Sequence, residues 1–324
     1  YSHDKKDYIA TGVNCGLPEI DAPGNQFNGF APCAGIARDG RGSLGIIAEA
    51  FEVPANDSWD DFSPMASIQY RPVDDVMLFG TISTGYKSGG FAGSQGVAAA
   101  ATNSVNPESV TNYEFGFKSF LADRAVRLNA TAFYMDYKDL QVVRFGPVAG
   151  TAFGSFQTTN IGSADIFGVE VEMDWAITDN FTLSGSYAFL DTQANDLIIV
   201  TTRGSTDFSG SDLRQAPKNS FNIVADYNLP LDGNLGELNF NASLSHTDKS
   251  HNDFATAAQT LNEARTLLDG NISWTSDDSR YKVSVWGKNI ANKDYVAHSY
   301  FIGPGTIGVW GAPRTYGVTL TANY

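Results

Sequence analysis

The chain has 324 residues, of which 36 are acidic and 21 basic, for a formal net charge of −15. A hydrophobic fraction of 42% excludes disorder, the acidic balance without a Lys/Arg patch excludes nucleic acid as partner, and no apolar run reaches the roughly 18 residues of a membrane helix. The mean hydropathy of −0.19 suits a soluble protein and equally a transmembrane barrel, whose alternating strands average low.

In chain order the pattern predicts about twelve strands, at 1–9, 60–71, 76–88, 108–121, 125–142, 157–176, 181–193, 216–228, 236–248, 264–276, 281–293 and 313–324. Each carries period-two alternation, as where Tyr113, Phe115 and Phe117 alternate with Glu114, Gly116 and Lys118, or Tyr316, Val318, Leu320, Ala322 and Tyr324 with polar neighbours. Alternation alone also fits a soluble sandwich. The connections separate the two, because they fall into alternating classes. Short ones, centred near 74, 123, 179, 232 and 278, are rich in turn formers. Long Gly/Ala/Ser/Asn-rich ones lie near 89–106, 143–156, 194–214, 249–262 and 294–311, with a longer one before 58. Short turns at one end and long loops at the other are the outer-membrane barrel pattern. Tyr70, Phe120, Trp175, Phe181, Tyr227, Trp274, Tyr281 and Tyr324 fall near short-turn ends, as an interfacial girdle requires.

The chain opens at Tyr1-Ser2-His3 with no initiator methionine or signal segment, which predicts a fragment or a processed chain. Cys15 and Cys33 are expected to close a small disulfide loop in an oxidising compartment. No catalytic or metal constellation emerges: His3, His246, His251 and His298 are scattered, and Gly85-Tyr86-Lys87-Ser88 lacks phosphate-loop spacing. No cofactor or enzymatic activity is expected. Alternation turns Glu114, Glu170, Glu172 and Asp174 away from the greasy face, with Glu114 and Glu170 on one wall about 10 Å apart. There they either border a water-filled pore or meet a cationic partner.

The segments Tyr86-Lys87-Ser88-Gly89-Gly90-Phe91, Pro107-Glu108, Asn112-Tyr113-Glu114-Phe115-Gly116, Phe133-Tyr134-Met135-Asp136-Tyr137 with Leu140-Gln141, Gly168-Val169-Glu170, Gly287-Lys288-Asn289 and Pro313-Arg314-Thr315-Tyr316, in this order, resemble the barrel of a TonB-dependent receptor. The resemblance implies an all-β, antiparallel transmembrane β-barrel of about 22 strands in the Gram-negative outer membrane. Residues 1–324 would be its C-terminal portion, without the N-terminal plug domain. It implies partners as well: the TonB complex through the missing plug region, outer-membrane lipid, the barrel insertion machinery and a scarce small-molecule ligand, foremost a ferric siderophore, with haem, cobalamin or an oligosaccharide as alternatives. Glu114 and Glu170 match family glutamates that pair with plug arginines, and Tyr324 matches the terminal aromatic of the assembly signal. Phe91, Phe145, Phe153, Phe156, Phe254, Tyr300, Phe301 and Trp310 are the candidate ligand-contacting loop residues. The rival readings are a self-contained 12-stranded channel or barrel enzyme and a soluble lectin-like β protein.

Overall fold

The computed structural model describes residues 2–16, 47–91, 104–147, 154–201, 204–254, 258–302 and 305–323. Every regular element among them is a strand. Eleven strands form one antiparallel sheet in which each pairs with its neighbours in sequence. It runs from Met65–Val73 through Val76–Lys87, Glu108–Leu121, Val126–Lys138, Ser163–Thr178, Phe181–Ala194, Asn219–Pro230, Glu237–Thr247, Arg265–Thr275 and Tyr281–Lys288 to Thr315–Ala322. Ahead of it Ser2–Gly16 pairs with Ile47–Asp61 as a ribbon. Lys6 Nζ donating to the Gly89 carbonyl (2.6 Å) and Tyr86 Oη donating to Asp4 (3.0 Å) tie the ribbon to the sheet.

Tight reversals at 74–75, 122–125, 179–180, 231–236 and 277–280 sit at the predicted short turns. The chain passes through positive φ at Ala122, Asp123 and Arg124 (52°, 54° and 70°), and the Arg124 guanidinium lies 4.5 Å over the Phe120 ring. The long connections depart from the expectation of plain loops. They contain hairpins, Gln141–Pro147 with Gly154–Asn160, Ile198–Thr201 with Gly204–Asp207 and Val296–Ile302 with Gly305–Trp310. Strand Ile47–Asp61 lies largely inside the stretch read as a long loop before 58. Its Pro54 and the polar run Asn56-Asp57-Ser58 mask a strand that is stabilised by its partner rather than by propensity. The predicted strand 125–142 breaks at Asp139, which has φ of 53°.

Register makes the two faces explicit, because directly paired residues share a side. One side carries rows such as Phe115, Ala132, Val169 and Phe189, and Tyr227, Phe240, Ile272, Val285 and Val318. Its large apolar residues, including Ile68, Phe115, Trp175, Ile272 and Val318, are exposed. A continuous apolar surface of this extent is at home in lipid. A sandwich would cover this face with a second large sheet, and among the described residues none is present. Tyr70, Trp175, Phe181, Tyr227, Trp274 and Tyr281 lie on this face near the short turns, as a girdle requires. Phe120 does not: it pairs with Arg127 on the polar side. Tyr324 lies outside the described residues.

The opposite face is polar, and among the described residues the buried apolar cluster lies outside the wall. Buried apolar side chains gather in the long connections instead, where Val142, Ile161, Ala194, Leu197, Ile199 and Phe254 pack together with Leu140, Phe208 and Leu213 around them.

Candidate functional site: the lumenal wall

Four strands build the wall around Glu114. In register, Thr81, Glu114, Phe133 and Gly168 form one row, and Phe79, Gly116, Thr131 and Glu170 the next. Glu114 and Glu170 therefore share a face, with one strand between them and a two-residue offset, which places their Cα atoms about 12 Å apart. Glu172 and Asp174 continue the same face of the strand Ser163–Thr178, so the alternation expectation for all four carboxylates holds.

Their electrostatic circumstances differ. Asp174 accepts from Arg127 Nε at 2.8 Å and also from its Nη2. Asp226, further round, accepts from the Asn239 and Asn241 amides, both at 3.0 Å, and Asp269 accepts from the Asn289 backbone N–H at 2.7 Å. Among the described residues Glu114 accepts from a neutral amide alone, Asn112 Nδ2 at 2.7 Å. Among the described residues, neither Glu170 nor Glu172 makes an ion pair. The nearby cations are committed: Arg127 to Asp174, and Lys118 to the face of the Phe79 ring, 6.0 Å from its centroid. Among the described residues Glu114, Glu170 and Glu172 thus stand on this wall without an ion-pair partner.

Of the aromatic residues on the polar face, Phe79, Phe133 and Trp286 each lie across a glycine on the next strand. A Cβ built on Gly116 would sit 2.8 Å from Phe79, one on Gly168 2.2 Å from Phe133, and one on Gly317 2.6 Å from Trp286. Sequence reasoning missed these pairs, as it missed the Asp226 amide cluster and Asn112. The signal was present as bulky rings at polar-phase positions.

The loop residues scatter more widely. Phe254 is 6% exposed inside the loop core, Trp310 is 70% exposed on its hairpin, Phe91 is half-buried, and the Tyr300 ring lies 6.1 Å from His298. Phe145 and Phe156 are backbone partners across one hairpin, and Phe301 pairs with Thr306 across another. Phe153 and Cys33 lie outside the described residues, as does the side chain of Cys15, so the expected disulfide does too. Amides knit the loop bases together: buried Asn252 bonds to Asn262 (3.1 Å) and Ser299 (3.1 Å), and the exposed Gln215 reaches Asn252 (3.2 Å) and His298 (3.3 Å). Among the described residues no group of His, Cys, Asp or Glu is arranged to hold a metal ion.

A sequential antiparallel meander with an apolar outer belt, a polar inner face, tight turns at one end and long packed loops at the other is the wall of an outer-membrane β-barrel. Residues 37–290 match the family model described as TonB dependent receptor-like, beta-barrel. The chain belongs to that family, whose members reside in the outer membrane of Gram-negative bacteria. It is 25% identical over 261 residues to a pesticin receptor of Yersinia enterocolitica, covering 80% of this chain and 35% of that protein. It is 24% identical over 265 residues to a metal-pseudopaline receptor, CntO, of Pseudomonas aeruginosa, covering 81% of this chain and 33% of that one. The chain therefore spans about a third of the length of these curated relatives. Among solved structures, the ferric yersiniabactin uptake receptor FyuA of Yersinia pestis superposes with a TM-score of 0.67 at 19% identity, over 87% of this chain and 40% of that one.

Proposed function

We propose that the chain is the C-terminal barrel wall of a TonB-dependent transporter that takes up a scarce extracellular ligand, a ferric siderophore, with TonB-coupled energy. A plug domain fills the lumen, and Glu114 and Glu170 engage its arginines. The observation that carries this reading is the set of lumenal-wall carboxylates without an ion-pair partner among the described residues, beside cations that are already paired. A carboxylate enclosed by a plug is tolerated only with a counter-charge or a set of donors, and removing one partner of such a pair costs about 3–5 kcal/mol. Glu114→Ala and Glu170→Ala in the complete receptor are expected to loosen plug retention and impair transport. Wild-type behaviour of both would sink the plug-contact role.

Ligand class is tested by growth of a receptor-deleted strain, complemented by the complete gene, on defined ferric siderophores, haem or cobalamin as sole source. Siderophore-independent rescue would overturn the siderophore assignment. The relative named for metal-pseudopaline supports keeping other metal chelates in the panel. The exposed Trp310 and half-buried Phe91 and Tyr300 are proposed as ligand contacts, together with Phe145, Phe153, Phe156 and Phe301. Phe254 is proposed in the supporting role its burial suits. The terminal strand, ending in Tyr324, is proposed as the signal read by the insertion machinery. Deleting Tyr324 should then lower outer-membrane insertion.

A further inference from the structure

Resting on the plug-contact reading above, we propose that Phe133, laid over Gly168 between Glu114 and Glu170, is the platform on which a plug guanidinium stacks, so that this wall selects arginine over lysine at that contact. The argument begins from the glycine. Phe133 and Gly168 are direct cross-strand partners, and a Cβ at Gly168 would lie 2.2 Å from the ring. Only glycine lets the ring lie down across its neighbour. Phe133 is also the direct partner of Glu114, and Glu170 stands two residues beyond Gly168 on the same face. The ring therefore occupies the floor between two carboxylates that make no ion pair among the described residues.

The same wall holds an internal precedent. Phe79 lies across Gly116 in the same way, and its face carries the Lys118 ammonium, 6.0 Å from the centroid. Trp286, across Gly317, directs its Nε1–H to Thr319 Oγ1 at 3.1 Å. Of the three aromatic–glycine pairs only Phe79 has a cation over its ring among the described residues, and of the other two it is Phe133, not Trp286, that lies between Glu114 and Glu170. A second observation points to a missing donor at the same place. Asn112 commits its amide nitrogen to Glu114, and its amide oxygen is buried without any donor. A planar guanidinium stacks on a ring through its face and still directs several N–H groups sideways to carboxylate and amide acceptors, which a compact ammonium does not do.

The test uses the complete receptor with a single cysteine on the buried side of the plug, read by the rate of maleimide labelling. Phe133→Leu is expected to raise that rate at least about fivefold, the size of a cation–π contact of about 1 kcal/mol, the upper figure for an exposed site. Gly168→Ala, which must lift the ring, should act in the same direction, and Phe133→Trp should restore slow labelling. Because Phe133→Leu could instead disturb the wall, phenylalanine analogues of stepwise fluorination are placed at position 133. They keep the ring shape and drain its quadrupole, so labelling should accelerate with each fluorine. A flat series, while Glu114→Gln and Glu170→Gln still accelerate labelling, overturns the platform and leaves the plug contact standing. If those two glutamate variants are silent as well, both readings fall.

Discussion

Arg214 donates from Nη1 to the backbone carbonyl of Val143 at 2.8 Å, across 71 positions of sequence, while its guanidinium lies 5.8 Å from the Phe254 ring centroid. One side chain thus joins three separate long connections of the barrel. Beside it Val142, Ile161, Leu197, Ile199 and Phe254 form a buried apolar cluster, so the described loops of this wall pack against one another.

Leu197 is fully buried in that cluster. Leu197→Ala removes a packed side chain from a site already held by neighbouring loops, at a cost of about 2–5 kcal/mol. The loss should be local. Hydrogen exchange is expected to quicken in residues 194–213, while the heat-modifiable gel migration that reports the closed barrel stays as in the wild type. Equal loss of both would show that loop packing and barrel stability form one cooperative unit.

Acid should loosen one loop in particular. Burial pushes the His251 pKa below its usual value, and the ring's Nε2 is buried with no hydrogen-bond partner. Asp212 and Asp253 oppose that shift and Arg214 reinforces it. A histidine whose folded pKa is depressed contributes stability that is present above its unfolded pKa, near 6.5, and is lost as pH falls toward the folded value. Hydrogen-exchange protection factors around 250–262, corrected for the intrinsic pH dependence of exchange, should therefore fall as pH drops below about 6.5. His251→Phe should abolish that dependence, and an unchanged profile in this variant would assign the effect elsewhere.

Two neighbouring glycines in one turn should respond very differently. Gly233 has φ of +69° with open space around its absent Cβ, whereas Gly236 has φ of +80° and a Cβ there would sit 1.9 Å from the Thr275 carbonyl oxygen. Gly233→Ala bears only the left-handed backbone cost of about 1–2 kcal/mol. Gly236→Ala adds a clash with fixed backbone and should be the more damaging by a wide margin. Urea midpoints of the two variants in the folded receptor provide the comparison.

Charge should be punished by face rather than by strand. Val171 belongs to the apolar outer row with Ala130 and Tyr187, and Ser186 faces the lumen opposite Glu172. Val171→Arg should cost about 2–4 kcal/mol in the bilayer and lower insertion. Ser186→Arg, one residue from Tyr187 on the adjacent strand, should insert normally. Similar insertion of both would contradict the assignment of faces.

The lumenal carboxylates were legible from the sequence, since a two-residue period assigns Glu114, Glu170, Glu172 and Asp174 to one side once the greasy side is known. The turns were legible for a related reason: Asp, Asn and Gly at 74–75, 179–180 and 231–236 act through their own backbone preferences. Strand Ile47–Asp61 was not, because its ladder to Ser2–Gly16 is a long-range pairing that overrides a proline and a polar run. Nor were the loop hairpins, whose Gly- and Thr-rich strands lack the alternation that a half-buried face imposes.

By itself the sequence determined an all-β wall with one face for lipid and one for a lumen, because alternation and turn chemistry are local properties that each strand carries alone. Only the tertiary structure decided which residues meet across strands. Phe133 and Gly168 are 35 positions apart in a chain whose period says that both face inward, and nothing local says that one lies upon the other. Register decides that. It is set by the collective fit of every ladder hydrogen bond and side chain in the sheet, and it turns two ordinary inward positions into a ring laid flat between two carboxylates.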